Sequence, residues 1–106
     1  MSDALRSESG QFDFVLTIDS SEIPQVVSVR GDFDATTVAE FESRSAVLNS
    51  GAPVVVDVTA TTVIDSAALT ALIRLRRTNE DLSVKVSPGW QTRLFVIAGL
   101  DEHLSV

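Results

Sequence analysis

A run of mostly β-branched residues lies at the centre of this 106-residue chain. Residues 53–58 are almost continuously apolar and do not alternate with polar residues. A strand with one solvated face shows alternation, whereas a strand covered on both faces or shielded at its edges reads as a continuous apolar run. The run therefore predicts a strand in the middle of a sheet.

Two further strands are predicted ahead of this run. Apolar and polar residues alternate over residues 12–18, which is the period of a half-buried strand. After a turn at residues 20–24, residues 26–30 have the pattern of a second strand that pairs back on the first as a hairpin. We expect Gly31 to end this second strand.

Helical periodicity follows in two segments on either side of the central run. Asp34 precedes apolar residues at helical spacing and is expected to cap a helix that ends near Asn49 and Gly51. Residues 59–64 read as a loop after the central strand. Residues 66–78 then form a second amphipathic helix with arginines on its outer face.

The last part of the chain predicts a short strand, a third helix and a final short element. Residues 82–86 read as the strand, and Pro88 opens a helix that Gly99 is placed to end in a left-handed conformation. Trp90 in this helix is either a core anchor or an exposed aromatic at a partner surface, and we favour the core. Residues 104–106 form a last strand or part of a final helix.

This order of elements predicts one α/β domain with a mixed sheet of four to five strands and helices packed mainly on one face. The length fits a single domain over residues 11–106. Residues 1–10 are polar and carry no apolar period, so we expect a flexible N-terminal tail there.

Composition narrows the class of partner. A net charge of −7 disfavours binding to nucleic acid and to anionic membranes, so we expect a protein partner. No apolar run is long enough for membrane insertion, and nothing resembles a signal peptide, so a cytoplasmic protein is expected. The absence of cysteine removes disulfides and thiolate metal sites.

Catalytic and cofactor sites have little support in the sequence, and we expect neither an enzyme nor a cofactor. His103 is the single histidine and is expected at the surface, without a second metal ligand or a nucleophile. Asp32 and Asp34 are the one candidate acid–base pair, but alternation along an extended segment points them apart. The chain has no glycine-rich loop with a lysine that would hold phosphate.

Three motifs resemble the STAS domain family over nearly all of the chain from Phe12 onward. The first is Val-Arg-Gly-Asp-Phe-Asp at residues 29–34. The second is Val-Val-Val-Asp-Val at 54–58 followed by Val-Ile-Asp-Ser-Ala-Ala-Leu at 63–69. The third is Arg-Leu-Phe at 93–95 with the Gly-Leu pair at 99–100. Their order and spacing imply a STAS-like sandwich and resemble the anti-sigma factor antagonists of bacteria.

The resemblance implies a phosphorylation switch at Ser66. In such antagonists the serine after the aspartate is phosphorylated by an anti-sigma factor with serine kinase activity, which holds the ATP and magnesium, and a serine phosphatase restores it. Unphosphorylated, the chain would bind the anti-sigma factor, which frees a sigma factor. The implied partner-binding residues are Asp34, Asp65, Ser66, Ala67 and Leu69.

The residues themselves leave two roles open for Asp65 and Ser66. A serine at a helix N-terminus lies where free N–H groups and the helix dipole tolerate a phosphate. The same pair is also an ordinary capping pair, since both residue types are preferred at the N-cap. Asp34 has the same two interpretations, a functional role beside Ser66 or a simple cap.

Two alternatives to the phosphorylation switch remain, and the first rests on a departure from the family pattern. Ala67 and Ala68 stand where antagonists commonly have Ser or Thr followed by Gly. A STAS subunit or scaffold of a transporter ATPase or signalling assembly, which needs no phosphorylation, is therefore a rival. A second rival is an enzyme or small-ligand binder, which only the acidic turn near Asp34 supports.

Overall fold

The computed structural model describes residues 14–49, 51–100 and 104–105. The tail predicted at residues 1–10, the start of the first strand at Phe12, and His103 lie outside the described residues. Those expectations stay predictions.

Five strands form a single sheet in the described part of the chain, and they lie side by side in chain order. The first strand is antiparallel to the second, and every later neighbour is parallel. The strands are β1 (Val15–Asp19), β2 (Gln25–Phe33), β3 (Val54–Ile64), β4 (Leu82–Lys85) and β5 (Leu104–Ser105). The sheet is therefore mixed, and β3 is its middle strand, as the apolar run predicts.

Three helices connect the parallel strands within the described ranges: α1 (Val38–Ser45), α2 (Ser66–Thr78) and α3 (Trp90–Ile97). Each helix joins two strands that are neighbours in the sheet, and the strand order always advances in the same direction. Such crossovers are right-handed in almost all proteins. All three helices therefore lie on one face of the sheet, which confirms the predicted α/β architecture.

The core lies between the helices and this face of the sheet. Burial alternates along β2, where Val27, Val29 and Phe33 are buried, so every second side chain points toward the helices. The rings of Phe33 and Phe41 lie 4.8 Å apart and join β2 to α1. The fully buried part of this cluster also contains Phe14, Leu16, Val54, Val56, Val58, Ala68, Ala71, Leu72, Val84, Val86 and Phe95.

The two central strands are longer than predicted. Gly31 does not end β2, because a backbone φ of 87° and a shift of register after Gly31 let the strand bulge and continue to Phe33. Residues 59–64, predicted as a loop, belong to β3 and pair with this extension, with Asp32 opposite Val63. The extra pairing carries both strands to the start of their helices.

The first helix is shorter than predicted at both ends. Asp34 is not its N-cap, because the Asp34 carboxylate accepts hydrogen bonds from the Thr36 backbone N–H (2.9 Å) and hydroxyl (2.6 Å) in a turn that precedes Val38. The helix stops at Ser45, well before Asn49 and Gly51.

The side chain of Gln25 accounts for the path after α1. Its amide donates to the Asn49 carbonyl oxygen (3.0 Å) and accepts from the Asn49 N–H (2.8 Å). These two bonds hold the chain in a non-helical path beside the start of β2.

The second and third helices follow the sequence more closely. Residues 66–78 are helical as predicted, and Gly99 has a φ of 79° at the end of α3. The core position favoured for Trp90 is wrong, because its side chain is 43% exposed. Gln91 and Phe95 occupy the buried face of this helix in its place.

Candidate functional site

The candidate site lies at the edge of the sheet where the parallel strands end. β2, β3 and β4 have the same direction, so the segments that lead from them into α1, α2 and α3 lie at one edge. In open α/β sheets this carboxyl edge is where loops gather and ligands bind. The carboxyl edge is the name used below for this region.

Asp65 joins two of these segments through both carboxylate oxygens. One oxygen accepts a hydrogen bond from the Ala68 N–H (3.0 Å), which makes Asp65 the N-cap of α2. The other accepts from the Ala35 N–H (3.0 Å) in the segment between β2 and α1. The Asp65 N–H donates to the Phe33 carbonyl oxygen (3.3 Å), so the last residue of β2 is also tied to this point.

Ser66 is the first residue of α2, and its side chain is exposed. Its carbonyl oxygen accepts from the Thr70 hydroxyl (2.9 Å), but its own hydroxyl makes no hydrogen bond with the residues that the structure describes. Because Asp65 performs the capping, the Ser66 hydroxyl is left available to an incoming group. Of this pair, Asp65 therefore has the capping role that the sequence left open.

Asp34 lies next to this junction but does not bond to Ser66. Its carboxylate is engaged by Thr36, and its backbone N–H donates to the Thr37 hydroxyl (3.0 Å). This tight turn places the Ala35 N–H on Asp65. The structure therefore brings Asp34, Asp65 and Ser66 to one edge, with Asp34 shaping the loop.

The other two predicted site residues contribute less exposed surface. Ala67 and Leu69 are half-buried, and Leu69 packs against the core cluster. Ala68 is fully buried. Ser66 is consequently the residue of this stretch that projects most freely toward solvent.

Several residues at the carboxyl edge were not predicted from sequence. The Thr62 hydroxyl donates to Asp32 (2.8 Å), Val63 is 43% exposed, and Trp90 begins α3 at the same edge. Five of the six residues at 59–64 are β-branched, and this was the local pattern that could have indicated a continuation of strand β3. The exposure of Val63 and Trp90 had no comparable signal, because it depends on how the three helices pack.

No group of three or more acidic or histidine side chains among the described residues is placed to hold a metal ion. The carboxylates of Asp32 and Asp34 bond to different threonines, Thr62 and Thr36. No helix in those same ranges is long and apolar enough to cross a membrane.

A mixed sheet covered on one face by helices, with an aspartate-capped helix at its carboxyl edge, defines a small α/β domain that presents a serine to solvent. A family model described as "Mlab, STAS domain" matches residues 3–106. The chain belongs to this family of STAS domains. No match was found among curated proteins.

Proposed function

We propose that this STAS domain is an anti-sigma factor antagonist that binds its anti-sigma factor when Ser66 is unphosphorylated and is released when Ser66 is phosphorylated. The observation that supports this proposal most directly is that Asp65 and Ser66 make different contacts at the start of α2. Asp65 caps the helix, and the Ser66 hydroxyl is exposed without a partner among the described residues. A modified serine there leaves the cap intact.

The local electrostatics allow a phosphate on Ser66 without refolding. The phosphate would lie at the positive end of the α2 dipole, beside backbone N–H groups of the first helical turn. It would also add roughly 1.5 to 2 negative charges next to the Asp65 carboxylate. A partner surface that fits a neutral serine would then meet a charged, strongly hydrated group, and binding would weaken.

In this proposal the chain is a kinase substrate and not an enzyme. The anti-sigma factor supplies the kinase with its ATP and magnesium, and a serine phosphatase reverses the modification. Ser66 and the half-buried Ala67 and Leu69 face the partner, while Asp34 and Asp65 hold the β2–α1 segment against the start of α2.

The first experiment is recovery of the protein from its native lysate, followed by intact-mass analysis and mapping of any phosphate. An anti-sigma partner with kinase activity and a phosphate on Ser66 would support the switch. Binding to that partner is then compared for Ser66→Ala and Ser66→Glu. We expect the alanine variant to bind and to resist regulation, and the glutamate variant to bind more weakly.

Ser43→Glu is a matched control for the charge change. Ser43 is an exposed serine on α1, away from the carboxyl edge, so the same added charge there should leave partner binding unchanged. Equal affinity of the wild type and Ser66→Glu would contradict the switch. Equal weakening by both glutamate variants would show a general charge effect.

A STAS subunit or scaffold of a transporter ATPase or signalling assembly is the second candidate. Ala67 and the fully buried Ala68 leave Ser66 without a neighbouring hydroxyl, and the matching family description names Mlab. Such a subunit would use the same edge without phosphorylation. Stable co-purification with a transporter ATPase, an unmodified Ser66 and full binding by Ser66→Ala would favour this candidate.

A further inference from the structure

An open groove lies between α2 and α3 on the helical face of the sheet. The helices follow the strand order, so α2 has α1 on one side and α3 on the other. α1 and α2 pack against each other, and Arg74 of α2 bonds to Glu42 of α1 at 3.0 Å. Within the described residues, α2 and α3 have no comparable contact. The sides on which these two helices face each other are therefore left without a helical partner.

The side of α2 that faces α3 is largely apolar over two turns. Successive residues of an α-helix are about 100° apart around its axis. Leu69, Ile73 and Arg76 therefore lie on the other side of the buried residues of α2 from Arg74, which faces α1. All three are half-buried, and Leu69 and Ile73 pack against the core cluster. These residues form one wall of the groove.

The side of α3 that faces α2 is also apolar, and most of it is exposed. Both helices follow parallel strands and have the same direction, so the side that faces the preceding helix has the same angular position relative to the buried residues. On α3, where Gln91 and Phe95 are buried, Trp90, Leu94 and Ile97 lie on that side. Leu94 is half-buried, whereas Trp90 and Ile97 are 43% and 83% exposed. Exposed apolar side chains that form one stripe are typical of an interaction surface.

The two helices that form the groove are basic, although the chain carries a net charge of −7. α2 and α3 together contain four arginines and no acidic residue. Three of these, Arg76, Arg77 and Arg93, form no ion pair with the residues that the structure describes. The acids closest in sequence to α2, Asp65 and Glu80, lie beyond its two ends. The charge of the groove therefore favours an acidic occupant.

An amphipathic helix fits both the shape and the charge of this groove. Such helices place apolar residues at positions i, i+3, i+4 and i+7 into an apolar groove, and acidic residues on their flanks would meet the arginines. The stripe from Trp90 to Ile97 is about 10 Å long, which is about two helical turns. We propose that the α2–α3 groove binds a short amphipathic helix with acidic flanks from a partner protein. Ser66 begins α2 outside this apolar lining, so the proposal does not depend on its phosphorylation.

The probe is a synthetic peptide of two heptads, each Leu-Glu-Gln-Leu-Leu-Glu-Ala, which forms an apolar stripe with acidic flanks. One control peptide has lysine in place of every glutamate, and a second has the same composition in an order without helical period. Each peptide is titrated into the full-length ¹⁵N-labelled protein and followed by NMR. We expect the acidic helix to bind roughly tenfold tighter than either control. The amide shifts should concentrate at Leu69, Ile73, Trp90, Leu94 and Ile97.

Two pairs of surface variants test the apolar stripe and the charge separately. Ile97→Ser removes apolar surface from an exposed position, so the fold is retained and the acidic peptide should bind roughly three- to tenfold more weakly. Val47→Ser, at an exposed valine after α1, should leave its affinity unchanged. Arg93→Glu should weaken binding by a similar factor. Lys85→Glu makes the same charge change on the opposite face of the sheet and should have little effect.

The outcomes that contradict the groove differ from those that contradict the Ser66 switch. Absence of peptide binding, equal affinity for the acidic and the lysine peptide, shifts away from the groove, or unchanged binding in both Ile97→Ser and Arg93→Glu would overturn the proposal. Vesicles of phosphatidylcholine and phosphatidylglycerol are a second anionic probe, and binding to them without binding to the peptide would also overturn it. Ser66→Ala should bind the peptide as the wild type does, so failure of the peptide leaves the switch at Ser66 unaffected.

Discussion

One carboxylate oxygen of Asp65 lies 3.0 Å from the backbone nitrogen of Ala35, thirty positions earlier in the chain. The other oxygen caps α2 through the Ala68 N–H. One side chain therefore fixes both the start of α2 and the position of the β2–α1 segment beside it. The exposed surface around Ser66 depends on this double contact.

The two contacts of Asp65 can be separated by substitution. Asn is as good an N-cap as Asp, but its single amide oxygen serves only one of the two N–H groups. We expect Asp65→Asn to lower the free energy of unfolding by about 1 kcal/mol and Asp65→Ala by about 2 kcal/mol. Chemical denaturation measures both, with Glu80→Ala, an exposed acid, as the control. No loss for the Asn variant would show that the Ala35 contact contributes nothing, and equal losses for the Asn and Ala variants would show that the cap contributes nothing.

Gln91 holds the extension of β3 against α3. Its side chain is 1% exposed, donates to the Val58 carbonyl oxygen (2.9 Å) and accepts from the Ser87 N–H (2.9 Å). Gln91→Leu leaves these buried groups unpaired, so we expect a loss of about 2 to 4 kcal/mol in the free energy of unfolding. Arg93→Leu, at an exposed position of the same helix, should change it by less than about 0.5 kcal/mol. A loss below 1 kcal/mol for Gln91→Leu would contradict this role.

The sequence predicted those elements whose residue pattern lies within the element itself. The apolar run of β3 and the capped amphipathic pattern of α2 are such patterns, and the structure has both elements. Residues 59–64 were misread because three threonines in six positions resemble a loop. Their strand conformation depends on pairing with β2 and on the Gln91 amide, which bonds to the Thr61 hydroxyl (3.1 Å). Neither partner is near in sequence.

The candidate site was predicted in part for the same reason. Asp65 and Ser66 were singled out by the resemblance to the STAS family, and both also fit the capping pattern that precedes a helix. The bond from Ala35 to Asp65 spans thirty positions and has no local signal. Asp34 was expected to cap α1, but the nearby Thr36 offers both an N–H and a hydroxyl to its carboxylate, so a local turn formed in place of the cap.

The end of α3 depends on the backbone freedom of Gly99. Its φ is 79°, its N–H donates to Val96, and the Leu100 N–H donates to Phe95, which together form a Schellman motif. A Cβ at Gly99 would meet no atom within 4 Å, so the penalty of Gly99→Ala is conformational. We expect it to lower the free energy of unfolding by about 1 to 2 kcal/mol.

Gly51 provides the matched control for this substitution. It also has open space around its Cα, but its φ lies outside the left-handed region. Gly51→Ala should therefore be neutral or stabilise the fold by up to about 1 kcal/mol. If both variants lose the same stability in chemical denaturation, the left-handed conformation of Gly99 is not the cause.

Trp90 and Phe95 lie on the same helix but differ in burial, since Trp90 is 43% exposed and Phe95 is fully buried. Phe95→Ala should lower the free energy of unfolding by about 3 to 5 kcal/mol, as for other buried phenylalanines. Trp90→Ala should lower it by no more than about 1 to 2 kcal/mol. Chemical denaturation of the two variants measures this difference. A larger loss of stability for Trp90→Ala than for Phe95→Ala would show that Trp90 belongs to the core.

Trp90 is the chain's single tryptophan, and it begins α3 at the carboxyl edge that also presents Ser66. A protein that docks across this edge removes water from an exposed indole, which is a preferred interface group. With a tryptophan-free form of the partner, we expect the emission of Trp90 to move to shorter wavelength on binding, and Ser66→Glu to weaken the titration. Binding with unchanged emission, and with full affinity in Trp90→Ala, would place the docking surface away from α3.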